Sequence, residues 1–215
     1  DVPYTYPVTV NIANSEFRGN TVQPITTHDG RGGAIRSYSL ADITIIDTII
    51  SNTLVVAPAP LVTGYVHRGG GLEITARSLF IDGSEISDNN VLESLGGDST
   101  RGGGLMVANS SYDRQGPMDA MGARIVNSTI SRNSSTATAG AILVYGNVAL
   151  ELDNATVAEN VAAGTRTGGI VLALGATYPP TASDTARPTL RLVSSIVANS
   201  TGTGGDVAAS TSQFG

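Results

Sequence analysis

The chain of 215 residues contains no cysteine, no tryptophan and no lysine. Without cysteine there is no disulfide framework, no thiolate nucleophile and no zinc–thiolate site. Without lysine, all 12 basic residues are arginine, and against 18 acidic residues the formal charge is −6. That balance argues against a nucleic-acid binder, which presents a basic stripe. Aromatic residues make up only 5% of the chain. No run is long and apolar enough to span a membrane, and helix-favouring runs are missing. No signal peptide is visible, so Asp1 is read either as following a removed leader or as a trimmed start.

What the chain does have is glycine, 26 residues of it, and a repeat. Asn14–Asn20, Gly83–Asn89, Asn127–Asn133 and Asn154–Asn160 are copies of one heptapeptide, typified by Asn-Ser-Thr-Ile-Ser-Arg-Asn. Asp47–Thr53 and Ser194–Ser200 are looser copies. Each is followed by a small-residue cluster and one aliphatic residue: Ile35, Leu72, Leu105, Ile142, Ile170 and Val207. Self-similarity at this period marks a solenoid, whose units bury apolar surface only by stacking on neighbours.

The copies align residue by residue. Two positions before each heptapeptide stand Ile12, Ile45, Ile81, Ile125, Leu152 and Leu192. Four before stand Val10, Ile43, Leu79, Ala123, Leu150 and Leu190. These columns are two residues apart, the period of a strand. Phe17, Ile50, Ile86, Ile130, Val157 and Val197 follow three residues after the heptapeptide begins, out of phase with them. A bend must therefore lie between, at the Asn/Asp/Gly/Ser column that opens each heptapeptide. Those residue types tolerate the left-handed backbone region. The four aliphatic columns give 24 inward positions.

Successive copies are spaced by 33, 36, 44, 27 and 40 residues, so the loops vary while the columns stay fixed. The expected fold is all-β: a single-stranded parallel β-helix of about six coils, with three short strands per coil. With strands about 4.8 Å apart, six coils make a rod roughly 29 Å tall. Residues 1–215 are read as one domain. The repeats occupy about 8–207, residues 1–7 form an N-terminal cap, and 208–215 form a short tail.

The Asn-Ser-Thr-Ile-Ser-x-Asn unit, the Gly-Gly-Gly-[Ile/Leu] cluster and the closing stretch Ser195–Val207 resemble the right-handed β-helix repeats of bacterial surface proteins. The nearest likeness is to polymorphic outer membrane protein repeats and to choice-of-anchor secreted proteins. The resemblance implies a right-handed coil and a surface-exposed or secreted protein engaged in adhesion. The same scaffold also hosts pectin-cleaving enzymes, so fold alone does not decide activity.

Four features are candidates for function. The residue before each glycine cluster gives an arginine column: Arg31, Arg68, Arg101 and Arg166, with Thr138 and Thr203 in the remaining coils. Stacked at strand spacing, these charges must splay into solvent, pair with acidic neighbours such as Asp29, Glu73 and Asp98, or hold an anion or acidic glycan, which the planar guanidinium suits. On the outer face of the first strand, Arg124, Glu151 and Arg191 form an alternating ladder, with Asp153 beside Glu151. Glu151 and Asp153, two apart on one strand face, lie roughly 7 Å from each other. That spacing suits either an inverting glycosidase pair, with Arg124 alongside, or a cross-strand ion-pair ladder.

His28 and His67 precede two glycine clusters, where they are expected as solvated loop histidines; with Asp29 and Asp98 they fall short of a metal site, so no metal or cofactor is expected. Finally, the loops 53–67, 108–122 and 173–188 carry exposed apolar residues. Leu54, Val55, Leu61, Tyr112 and Tyr178 are the expected partner contacts. Open solenoid ends also invite pairing with further copies. The two readings are thus a bacterial extracellular or cell-surface structural or adhesive protein that assembles end to end, or a polysaccharide-active enzyme. The expected partners are copies of itself, a larger surface assembly or glycans.

Overall fold

The computed structural model describes residues 8–23, 30–38, 41–56, 67–92, 100–109, 120–163, 167–174 and 187–210. Among these there is no helix. The chain winds through four larger parallel sheets, three of six strands and one of five, and a fifth, two-stranded sheet pairs His67–Arg68 with Thr100–Arg101.

The first sheet stacks Thr9–Ala13, Asp42–Ile46, Ser78–Asp82, Met121–Val126, Val148–Asp153 and Thr189–Val193 in that order. The second stacks Glu16–Arg18, Ile49–Ser51, Glu85–Ser87, Thr129–Ser131, Thr156–Ala158 and Ile196–Ala198. The third is shorter: Thr21–Val22, Leu54–Val56, Asn90–Leu92, Ser134–Ser135 and Val161–Ala162. The fourth stacks Ile35–Tyr38, Leu72–Thr75, Leu105–Ala108, Ile142–Tyr145, Ile170–Ala173 and Val207–Ser210. The fold is therefore the expected parallel β-helix of six coils, but with four main strands rather than three in each of the first five coils. The third sheet's strands run to only two or three residues, too few for a period-two pattern to stand out.

The corners explain the repeat. All six residues that open the heptapeptides lie in the left-handed region, with φ between 46° and 58°. A second corner, which the residue types do not announce, sits five positions later. There Gly19, Asn52, Asp88, Arg132, Glu159 and Asn199 have φ between 54° and 66°. Arg132 and Glu159 adopt this conformation against an intrinsic cost of about 1–2 kcal/mol, offset by the register the stack imposes.

The glycine cluster forms a third corner, where the backbone approaches its neighbours too closely for a side chain. A Cβ on Gly70 would fall 2.2 Å from the Gly103 carbonyl oxygen and 2.9 Å from the Asn90 backbone of the next coil. One on Gly103 would fall 2.3 Å from the Ser134 carbonyl oxygen.

The columns expected inside are inside. Ile45, Ile81, Ile125 and Leu152, with Ile50, Ile86, Ile130 and Val157, are fully or almost fully buried in the middle coils, as are Leu72, Leu105, Ile142 and Ile170. Each such side chain contributes roughly 1.5–3 kcal/mol of transfer free energy. A further inward column, Ile74, Val107 and Val144, lies two residues along the fourth sheet and joins the same core. The outer face of that sheet is also apolar and buried: Met106, Leu143 and Val171 form a second cluster with Ala108, Ala139 and Ala173. In the end coils the inward residues are uncovered. Val10 is 39% exposed, Leu192 46% and Val207 41%.

Two expectations about the first apolar loop change. Leu54–Val56 are not in a projecting loop but make a strand of the third sheet. Val55 is fully buried and unavailable to a partner, because alternation turns it inward while Leu54 faces out half-buried. Leu61, Tyr112 and Tyr178 lie outside the described residues.

Two substitutions test this packing. Ile125→Asp places a carboxylate in the middle of the core and is expected to abolish folding, seen as loss of the β-sheet circular dichroism signal. Gly70→Ala is expected to cost at least ~3 kcal/mol, because backbone and not a mobile side chain stands in the way. Gly122→Ala, on the outer face of the first sheet with nothing within 4 Å, serves as the neutral control in the same denaturant titration.

Candidate functional site

The alternating ladder on the first sheet forms as its spacing suggests. Register places Arg124 beside Glu151 and Glu151 beside Arg191. Arg124 donates from Nε to Glu151 Oε1 at 3.0 Å and from Nη2 to Asp153 Oδ2 at 2.7 Å. Arg191 Nη1 donates to Glu151 Oε2 at 2.7 Å. One guanidinium thus bridges both carboxylates of the candidate acid–base pair. The Arg191 hydrogen bond, reinforced by its charge and by Arg124, holds the Glu151 carboxyl below the ordinary carboxylate range. A general acid needs the opposite shift. In this arrangement the ladder acts as a cross-strand ion-pair network at the surface.

The glycine corner assembles the arginine column. Arg31 pairs with Arg68 as an isolated bridge, Arg68 with Arg101 in a short parallel ladder, and Arg101 with Thr138. The stripe is not simply solvated: Arg101 is only 3% exposed. Glu73, itself buried on the outer side of the fourth sheet, meets Arg31 at 3.5 Å and Arg36 at 3.2 Å. The acidic neighbour expected from sequence therefore compensates the head of the column. Arg166, Asp29 and Asp98 lie outside the described residues.

His67 departs from its expected solvated state. It is buried in a short strand, and its Nδ1 accepts a hydrogen bond from the Gly30 N–H at 2.9 Å. This nitrogen is consequently unprotonated and fixed by backbone from the preceding coil. His28 lies outside the described residues. Among the described residues no group of three or more His, Asp or Glu is placed to hold a metal ion.

The most organised polar feature lies inside the coil. The last residues of the four middle heptapeptides, Thr53, Asn89, Asn133 and Asn160, are all fully buried. The Asn133 Nδ2 donates to the Ile86 carbonyl at 2.9 Å and to Asn160 Oδ1 at 3.0 Å. Asn133 Oδ1 accepts from both the backbone N–H and Nδ2 of Asn89, each at 3.0 Å. Asn89 repeats the pattern downward, reaching the Ile50 carbonyl and accepting from the Thr53 N–H and hydroxyl. Each amide is saturated on both its donor and acceptor sides, as burial demands.

A second ladder of hydroxyls runs beside it, one residue after the first corner. The Thr48 N–H donates to Ser84 Oγ, the Ser84 N–H to Ser128 Oγ and the Ala155 N–H to Ser195 Oγ. The recurrence of Asn at the end of the heptapeptide and of Ser at its second position was the available signal. Its meaning needed the inward direction of those side chains.

Comparison of the chain with protein-family models, with curated proteins and with solved structures finds no match. The likeness to bacterial surface repeats therefore rests on the motifs alone.

Two measurements check this description. Asn133→Ala orphans the Ile86 carbonyl and the Asn89 amide, and is expected to destabilise the fold by about 3 kcal/mol in denaturant titration. Arg191→Gln is expected to raise the Glu151 pKa towards its ordinary value, followed by NMR titration of the side-chain carboxyl. The sign follows from the depressed carboxyl: its contribution to stability is present at neutral pH and is lost as pH falls through the folded-state value. Being exposed, the contribution is small and falls with salt.

Proposed function

We propose that this chain is an extracellular or cell-surface structural protein that acts through adhesion and end-to-end self-association. The observation that carries the reading is the exposure of the inward columns in the first and last described coils. The first coil offers Val10 and Ile12 and the last offers Leu190, Leu192 and Val207, members of the same inward columns that are fully buried in the middle coils. A second copy stacked head to tail would continue those columns.

The hydrogen-bonding groups support the same arrangement. Within the first strand, the Val8 carbonyl accepts from Asp42 and the Asn14 N–H donates to Ile46, so even-numbered residues face the second coil. By alternation the N–H groups of Thr9, Asn11 and Ala13 face the open edge. At the other end, the hydroxyl ladder stops at Ser195, whose N–H continues the series outward. The Ser15 hydroxyl of another copy would occupy the next place in that ladder. Stacking in register sets Asn11 beside Arg191 and Glu16 beside Ile196, so these positions bring no like charges together. One corner differs: Asp206 Oδ1 already accepts the Ser200 N–H at 2.7 Å. The contact would therefore be made by the first and second sheets. Such a heterologous contact propagates without closing.

The alternative, a polysaccharide-active enzyme built on Glu151 and Asp153 with Arg124, would require one carboxyl to be protonated near neutral pH. Glu151, held below the ordinary carboxylate range by Arg191 and Arg124, does not supply that acid.

Assembly is read by analytical ultracentrifugation and negative-stain imaging over a concentration series. Filaments or a concentration-dependent rise in mass are expected. Asn11→Pro, which removes an edge N–H without touching the bonds to the second coil, is expected to suppress assembly and preserve the melting transition. A chain that stays monomeric at every concentration would end the proposal. The enzyme reading is tested on a panel of acidic and neutral polysaccharides: cleavage that vanishes in the Glu151→Ala/Asp153→Ala double variant would replace the structural reading.

A further inference from the structure

Five Asn-x-Ser/Thr sequences occur in the chain, at Asn109, Asn127, Asn133, Asn154 and Asn199. Each is a potential acceptor for asparagine-linked glycosylation, a bulky surface modification. The fold sorts them. Asn127, Asn154 and Asn199 are exposed, and all three sit at left-handed corners, where the side chain leaves the coil outward. A glycan there would project into solvent. Their amides make surface hydrogen bonds: Asn154 Nδ2 donates to Asn127 Oδ1 at 2.7 Å and Asn127 Nδ2 to Asp82 Oδ1 at 2.9 Å.

Asn133 is the opposite case. It is fully buried, and its carboxamide is the central rung of the internal ladder, bonded to Asn89, Asn160 and the Ile86 carbonyl. The nitrogen that would carry the sugar is the nitrogen that makes two of those bonds. A glycan on Nδ2 removes one of its two hydrogens and has no space in a coil whose neighbouring Gly104 already leaves a Cβ only 2.9 Å from the Asn133 side chain. The folded coil therefore cannot contain glycosylated Asn133. Transfer of the glycan requires an accessible, unfolded acceptor, so it precedes folding. Modification at this position intercepts the chain before the ladder can form.

We infer that Asn133 is a modification site whose occupancy blocks folding, and that this chain reaches its folded state in a setting without asparagine-glycosylating enzymes. The inference rests on the ladder and is independent of self-association or enzymatic activity. It goes beyond an extracellular location by naming the export route the protein tolerates: one that bypasses a glycosylating secretory compartment.

The sequence supplies a way to separate the acceptor motif from the asparagine ladder. Ser135 completes the Asn133 motif, and its side chain is buried in a column where the next coil carries Ala162. Ser135→Ala thus destroys the acceptor motif, leaves the Asn133 amide in place and uses a residue the column already accommodates.

The experiment directs the full chain, wild type and Ser135→Ala, through the secretory pathway of an animal cell behind the same leader. Secreted yield and site-resolved glycan mass are measured. The expected result is wild-type protein retained in the cell with a glycan on Asn133, and several-fold more Ser135→Ala protein in the medium. Equal secretion of the two, or folded wild-type protein in the medium with Asn133 glycosylated, overturns the inference. Both proteins are also made in bacteria, where both are expected to fold, Ser135→Ala melting slightly lower because it lacks the Oγ that accepts from the buried Ala137 N–H at 3.3 Å. Should Ser135→Ala fail that check, wild-type secretion is measured with and without an inhibitor of lipid-linked glycan synthesis. A several-fold rise with the inhibitor supports the inference, and no rise overturns it.

Discussion

Everything in this molecule depends on one coil lying directly on the next at backbone distance. Parallel strands fix the spacing along the sheets, but the corners decide whether the spacing can be kept. At the glycine corner the chain passes so close to the following coil that the carbonyl of Gly103 would occupy the space of a Cβ on Gly70. At the heptapeptide corners, left-handed residues turn the chain without adding length. Variable loops can leave the coil between these fixed points because the columns resume in register afterwards.

Register then determines the interior. A coil that sits directly above its neighbour places isoleucine on isoleucine through the middle of the stack. It also places asparagine on asparagine. The carboxamide suits this position because it carries donors and an acceptor on one short stem, so it can receive from the coil on one side and give to the other. Thr53 makes only the donor part of the pattern, its N–H and hydroxyl both giving to Asn89 Oδ1. The hydroxyl ladder follows the same logic with smaller groups. These internal chains of hydrogen bonds give the stack a direction, which apolar columns by themselves lack.

The same stacking governs the outer surface. Side chains that are distant in sequence become neighbours at strand spacing, and their charges must then alternate or be buried against a counter-charge. The Arg124–Glu151–Arg191 ladder alternates. The arginine column does not, and there Glu73 is drawn into a buried position between Arg31 and Arg36. Glu151 and Asp153 illustrate how stacking decides chemistry. Their separation along the strand suits two carboxylates working on a sugar, yet Arg124 in the adjacent coil reaches both.

By itself the sequence determined the class of fold, the number of coils and the identity of the core columns, because inward residues recur at fixed offsets from an unmistakable corner. It also determined the register of the arginine column and of the outer ladder, since residues at equal offsets must stack. It could not count the strands: two-residue segments such as Ser134–Ser135 carry no readable period. Nor could it assign inward or outward direction to polar residues. Asn127 and Asn133 stand in one heptapeptide, look alike on paper, and end respectively in solvent and in the core. Val55 was drawn inward and His67 was buried under backbone for the same reason. Direction is set by where the corners place each Cα–Cβ bond, and that is a property of the stack of coils rather than of any one stretch of chain.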